Sequence, residues 1–359
     1  MTQTLTIALD AMGGDNAPDM VVRGANIARQ RYPNCQFLLV GDEPRLVKLV
    51  RRKRKLRDRV TIRHTTEMVA ADARPSAALR GGRKSSMWLA IEAVREGQAD
   101  GVVSAGNTGA LMAMSKLLLR TLPGIDRPAM ASFFPTLRGE SVMLDLGANV
   151  ECDANNLVQF AVMGEVFART VLGLTQPTIG LLNVGSEEVK GHDELKAAAA
   201  TLRASNLPIR FHGFVEGNDI AAGTVDVVVT DGFTGNIALK TAEGTAQLIK
   251  QFLREAFKSS ISAQFGYLLA RRALKKLNRR VDPRRYNGAM FVGLNGIAVK
   301  SHGGADALSF ANAVGVAHDM AIGGFNQRIK DEFERLTAPR DTSADTTAPH
   351  NPPKDAAAL

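Results

Sequence analysis

Cysteine is scarce in this chain. Cys35 and Cys152 are the only two in 359 residues, and neither stands in a metal-ligand spacing. That excludes a disulfide framework and a zinc module, and it fits a reducing cytoplasm with both thiols as plain core residues. Aromatic residues make up only 5% of the chain. No apolar run approaches the ~20 residues that a spanning helix needs. Strand-forming Leu5–Leu9 follows the first residues with no basic segment before it, so no secretory signal peptide is expected. No G-x-G-x-x-G dinucleotide fingerprint and no serine nucleophile elbow occur. Gly82-Arg83-Lys84-Ser85-Ser86 superficially suggests a nucleotide-binding P-loop, but its spacing is wrong and no strand feeds it.

Positive charge is plentiful, with a formal net of +9. One cluster runs from Arg51 to Arg59 and another from Arg271 to Arg285. Such patches imply an acidic partner. The first lacks aromatic residues for base stacking, which argues against nucleic acid.

Apolar β-branched runs alternate with amphipathic stretches throughout, the pattern of an α/β sheet covered by helices on both faces. The segment that organises the rest is Val227-Val228-Val229-Thr230-Asp231-Gly232-Phe233-Thr234-Gly235-Asn236. It reads as a buried strand, a tight glycine turn and the start of a helix running from Asn236 to about Phe257. Unpaired N–H groups at such a helix start suit phosphate, although Asn236 could equally be only a cap. Four other loops share the design, at 10–16, 104–109, 145–151 and 185–192, each with glycine and Asn, Asp or a charged residue. Five such loops at one edge of the sheet would make that edge the ligand site.

The segments Leu9-Asp10-Ala11-Met12-Gly13-Gly14-Asp15, Val103-Ser104-Ala105-Gly106-Asn107-Thr108-Gly109-Ala110, Leu144-Asp145-Leu146-Gly147-Ala148-Asn149, Lys190-Gly191 and Asp231–Asn236 together resemble the bacterial phosphate acyltransferase family. The likeness covers about residues 4–332. It implies a three-layer αβα sandwich like isopropylmalate dehydrogenase and phosphotransacetylase, in one catalytic domain over 1–336 with a helical hairpin at about 252–285. Residues 337–359, rich in Pro, Thr, Asp and Ala, read as a disordered tail. The implied activity moves a fatty acyl group reversibly from acyl-acyl carrier protein to inorganic phosphate, giving acyl phosphate for phospholipid synthesis. No cofactor or metal is implied. The implied partners are acyl carrier protein, phosphate, a second copy in a homodimer, an anionic membrane surface and a membrane glycerol-3-phosphate acyltransferase. The resemblance places the enzyme in the cytoplasm, peripherally attached to membrane.

Phosphate is itself a nucleophile, so the chemistry needs no serine or cysteine intermediary. It needs two anions held together and an oxyanion stabilised. On that basis Lys190, Asn236 and Asp231 are the expected catalytic residues, with Asp231 orienting Lys190 or a loop amide. Gly13, Gly14, Asp15, Asn107, Thr108, Gly109, Asn149 and Gly235 are expected to bind substrate or phosphate. His192 reads as a helix-capping or surface residue. Phe257, Ile261 and Phe265 recur at four-residue spacing, with a break expected near Gly266 and a second stripe through Tyr267, Ala270 and Leu274. Its tip, with Ile261, Phe265, Leu268 and Leu269, is expected to touch membrane. The alternative is a metal- and NAD-dependent decarboxylating dehydrogenase of the same fold, and a non-catalytic basic scaffold is a further rival.

Overall fold

The computed structural model describes residues 4–205, 209–280, 282 and 287–337. All but the first residue of the expected tail, and positions 281 and 283–285 of the expected hairpin, lie outside them. In chain order the elements are β1 (Leu5–Asp10), α1 (Asp19–Arg31), β2 (Cys35–Gly41), α2 (Glu43–Arg51), α3 (Arg54–Arg57), β3 (Val60–His64), α4 (Pro75–Gly81), α5 (Ser86–Arg95), β4 (Gly101–Ser104) and α6 (Thr108–Leu119). Then come β5 (Ala129–Pro135), β6 (Glu140–Leu144), α7 (Ala154–Val171), β7 (Thr178–Leu182), α8 (Asp193–Ala204), β8 (Arg210–Val215), α9 (Gly217–Ala222) and β9 (Val227–Val229). The rest is α10 (Gly232–Lys258), α11 (Ile261–Arg280), β10 (Ala289–Val292), β11 (Ile297–Lys300), α12 (Ala307–Ile322) and α13 (Phe325–Thr337).

The strands form one 11-stranded sheet in the order β3-β2-β1-β4-β11-β10-β5-β6-β9-β7-β8. Alternation along the strands divides the core between its faces. Ile7, Leu9, Val103, Ile297 and Val299 pack under α1, α7 and α12, whereas Ala8, Val102 and Ala298 pack under α5 and α6. Met143, Val228 and Leu182 continue the second face toward α9 and α10. This is the three-layer αβα sandwich.

Strand direction overturns one expectation. β10 is antiparallel to both β11 and β5, and β5 is antiparallel to β6. The neighbouring groups β1-β4-β11 and β6-β9-β7 are each parallel within themselves. Following these directions across the sheet, the second group runs opposite to the first. The loops after β1 and β4 therefore leave at one end of the strands, and those after β6, β7 and β9 at the other, not at a common edge. Twist changes what this means. Four strand intervals separate β4 from β6, and at ~20–25° each they turn the two carboxyl-end directions to roughly a right angle rather than back to back.

Local chemistry sets the element boundaries. Gly323 and Gly324 separate α12 from α13, and Gly324 takes φ +61°. Pro75 stands at the first position of α4. The hairpin is longer than expected and turns at Ser259–Ser260, not Gly266. Ser260 Oγ accepts from Ala263 N at 3.1 Å and restarts the helix. The Phe257 ring then packs edge-on against Tyr267, 5.5 Å between centroids, across the two arms.

Candidate functional site

Two aspartates build the two turns. Asp10 ends β1, and its Oδ1 accepts from Met12 N (3.3 Å), Gly13 N (3.1 Å) and Ser86 Oγ (2.6 Å), while Oδ2 accepts from Ser104 Oγ (2.6 Å). A Cβ on Gly13 would collide with Asp10 Oδ2 and lie 2.7 Å from Gly106 N, so only glycine lets these loops meet. Asp145 follows β6 and does the same work there. Its carboxylate accepts from Met130 N, Gly147 N, Ala148 N, Asn149 N and Asn149 Nδ2. Burial raises its pKa despite these donors.

The Asp231–Asn236 segment opens α10, as expected, but Asp231 is the cap. Its Oδ1 accepts from Thr234 N at 2.8 Å. It does not orient Lys190. Lys190 is half-exposed and pairs with Glu187 at 2.8 Å, which raises its pKa. Asn236 is the fifth residue of α10, beside Gly147 and 3.5 Å from the Gly147 Cβ position. Its amide makes no hydrogen bond among the described residues and is free to donate. Gly235 is required because a Cβ there would run into the Asp145 carbonyl.

Two expected ligand-binding asparagines are otherwise engaged. Asn107 caps α6 through Ala110 N (2.9 Å) and donates to the carbonyls of Ala71 (2.8 Å) and Ala73 (3.0 Å). Asn149 is buried and bonded to Pro128 O and Asp145. Both shape loops. Thr108 and Gly109 keep the first N–H groups of α6 at the β4 end, where Gly14 and Asp15 also lie; Asp15 N donates to Gly303 O at 3.0 Å. Asn236, Gly235, Asn149, Asp231 and Lys190 belong to the other set.

Beside Asp231 opens a cleft of about 680 Å³, lined by Arg127, Val150, Cys152, His192, Phe233 and Thr234 among others. His192 occupies the N-cap position of α8 without capping it and is one of the residues lining the cleft. Phe233, Ile237, Val150, Val184 and Val189 are exposed around this set. Burial pushes the Cys152 thiol up to about 12, so it stays protonated and is no nucleophile. The sequence reading missed Lys300. It ends β11 with 8% of its surface exposed, and burial brings it down to about 8. The signal was a lysine closing an otherwise apolar strand, Ile297-Ala298-Val299-Lys300.

Ile261, Phe265, Leu268 and Leu269 are exposed, between 60% and 87%. On α10, Leu248, Ile249, Phe252 and Leu253 form an exposed apolar stripe. No helix among the described residues is long and apolar enough to cross a membrane.

Sheet order, glycine turns and helix starts define an α/β protein of the phosphotransacetylase fold. A phosphotransacetylase from Streptococcus pyogenes superposes with TM-score 0.60 at 17% identity, over 90% of this chain and 95% of its own. The EutD phosphotransacetylase from Staphylococcus aureus gives 0.56 at 16%, over 89% and 94%. The family itself comes from sequence. The model of the fatty acid synthesis protein family matches residues 5–328. The chain is 67% identical to a phosphate acyltransferase from Rhodospirillum centenum over 96% of its length and 97% of the relative's. It is 56% identical to one from Acidiphilium cryptum, over 98% and 92%. The chain belongs to this family and is an acyltransferase.

Proposed function

We propose that the protein transfers a fatty acyl group from acyl-acyl carrier protein to inorganic phosphate, giving acyl phosphate for phospholipid synthesis. The observation that carries this reading is the pair of aspartate-centred glycine turns opening onto helix starts in a chain of this family. They supply backbone N–H donors, suited to phosphate and to the oxyanion formed when phosphate attacks a thioester carbonyl. Asn236 adds a neutral donor with no other partner. The Cys152 thiol, held protonated, supports direct attack without an acyl-enzyme. A phosphate oxygen forms the new C–O bond, the C–S bond breaks, and the phosphate proton ends on the departing thiol.

The two loop sets flank one reaction space, with the acyl thioester along the cleft by His192, Asp231 and Phe233. Lys190 can swing from Glu187 to substrate, since both are exposed and such a pair is weak. The exposed Arg51, Arg52, Arg54 and Lys55 suit docking of an acidic carrier protein. The exposed stripe of α10 suits a second copy, and the tip of α11 suits an anionic membrane surface. That arrangement fits a cytoplasmic enzyme attached peripherally to membrane, delivering its product to a membrane glycerol-3-phosphate acyltransferase. Nothing among the described residues favours the dehydrogenase alternative.

The test is release of free thiol from acyl-acyl carrier protein with and without phosphate, trapping acyl phosphate with hydroxylamine. Release that needs phosphate supports the reading. Release indifferent to phosphate, or reduction of a nicotinamide with a hydroxy acid instead, overturns it.

A further inference from the structure

At the carboxyl ends of β1, β4 and β11 three polar side chains stand in one row. Lys300 is in register with Ser104, and Leu9 with Val103, which sets Asp10 beside Ser104. Two residues back, Ala8, Val102 and Ala298 pack together under α5 and α6. Alternation therefore turns Asp10, Ser104 and Lys300 to that same face. All three are buried. Ser86, at the start of α5, closes the row through its bond to Asp10.

Asp10 is saturated by hydroxyl and amide donors from its own scaffold. Lys300 forms no ion pair among the described residues, and donates to the Ser301 carbonyl. An ammonium this deeply buried is normally paired or neutralised. At the same strand ends Gly13, Gly14, Gly106 and Gly303 bring backbone to backbone in a rim: Gly14 Cβ would stand 2.9 Å from Ala105 Cβ and 3.1 Å from Gly303 O. The first turns of α6 and α12 also begin at this rim, adding N–H groups. A rim built of glycine backbone admits a small oxyanion and offers no ring to stack on.

We propose that Lys300 holds the inorganic phosphate, its ammonium donating to the dianion beneath the rim of Gly13, Gly14 and Gly106. This assignment rests on the acyl-transfer reading and names the group that meets its smaller substrate. It also gives the buried cation a directly bonded counter-charge, which Asp10 and Asp15 supply only at a distance. Among the described residues Asp10 from β1 and Asp15 from the following loop are the charged groups that act on it, and His302 follows it by two residues in sequence.

Calorimetric titration of inorganic phosphate into the full chain tests it at pH 7 and pH 9, for the parent, Lys300→Met and Lys300→Arg. Lys300→Met should bind phosphate at least tenfold more weakly and raise the phosphate KM to match, with the KM for acyl carrier protein unmoved. Because Lys300 sits near 8 while phosphate about doubles its dianion fraction over the same range, the parent should lose about fivefold in affinity between the two pH values as the ammonium is lost. Lys300→Arg, which keeps Asp10, Asp15 and His302 but stays charged, should show no such loss. Parent-like phosphate affinity in Lys300→Met overturns the proposal. Should that variant not fold, equal affinity of the parent at both pH values overturns it just as well. If the parent binds phosphate through Lys300 yet transfers no acyl group to it, the acyl-transfer reading fails and the phosphate site stands.

Discussion

Lys300→Met should make the protein more stable while weakening its hold on phosphate. The parent ammonium is buried without an ion pair, and its pKa falls from 10.5 to about 8. At roughly 1.4 kcal/mol per unit, that fall means the folded state carries the charge at a penalty of about 3 kcal/mol. Methionine has nearly the same length and no charge, so the penalty disappears. Against it stands about 1 kcal/mol for the Ser301 carbonyl losing its donor, leaving a gain of about 2 kcal/mol. For a chain of this size that is roughly 3 °C in Tm. The pH dependence gives the sign. Below about 8 both folded and unfolded parent hold the proton, and the variant keeps its full advantage. Between about 8 and 10.5 the folded parent releases the proton while the unfolded chain retains it, so parental stability climbs toward the variant's. Urea unfolding at pH 7 and pH 10 measures both gaps. A variant less stable than the parent at pH 7, or an advantage that does not shrink by pH 10, would refute the reasoning.

Gly235→Ala forces a methyl into the Asp145 carbonyl, so α10 must lift from the Asp145 turn; a loss of about 2–4 kcal/mol by urea unfolding is expected, and a change within ~0.5 kcal/mol would contradict the packing. Asn107→Ala removes the α6 cap and two bonds to the carbonyls of Ala71 and Ala73, and should cost about 1–2 kcal/mol with faster amide exchange at the start of α6. Unchanged exchange there would return Asn107 to the list of substrate ligands. Asn236→Ala has no internal bond to lose, so melting should stay put while turnover drops 10²–10³-fold; near-parental turnover removes it from the site. Phe265→Glu with Leu268→Glu should abolish sedimentation with anionic liposomes and leave soluble activity intact; undiminished sedimentation would clear the α11 tip of that role.

Much of the fold was legible because alternation and turn residues act locally. The Val227–Val229 strand and the glycine turn behind it follow from neighbours in sequence. The direction of each strand was not. It depends on β10 and β5 pairing antiparallel across more than a hundred residues, which no local pattern records. The loops themselves misled for a physical reason. Asp10 and Asp145 fold the same turn, each carboxylate taking the amides two and three residues ahead, so two ends of the sheet read as one. Asn107 and Asn149 look like ligand donors because capping and bracing use the same amide chemistry. Gly266 looked like the helix break, yet an exposed helix tolerates glycine, and the serines of Lys258-Ser259-Ser260-Ile261 supplied the cap. Lys300 was invisible for the opposite reason. Its burial exists only once residues 10, 104 and 300 align across three strands.

The two turns share a design, and what each leaves over differs in a way the chemistry explains. Asp145 is wholly enclosed, with its donors drawn from its own loop and Met130. What remains beside it, apart from Lys190 held by Glu187, is neutral: the Asn236 amide and the Phe233 N–H at the start of α10. At the Asp10 turn the leftover group is a cation. A phosphate dianion carries full charge before reaction, and backbone dipoles alone bind it weakly against water; a buried ammonium changes that. The thioester oxygen is neutral in the ground state and becomes an anion only as the carbonyl is attacked. Donors without formal charge stabilise that change without first trapping a negatively charged substrate group in the wrong place. A buried cation at one turn, and the neutral Asn236 amide nearest the other, is therefore the division that acyl transfer to phosphate asks for. Exchanging the two kinds of donor tests this division directly. Asn236→Lys should strengthen binding of phosphate while slowing turnover, because the added charge draws the nucleophile to the oxyanion's place. Faster turnover in that variant would show that the neutrality of the Asp145 side is incidental.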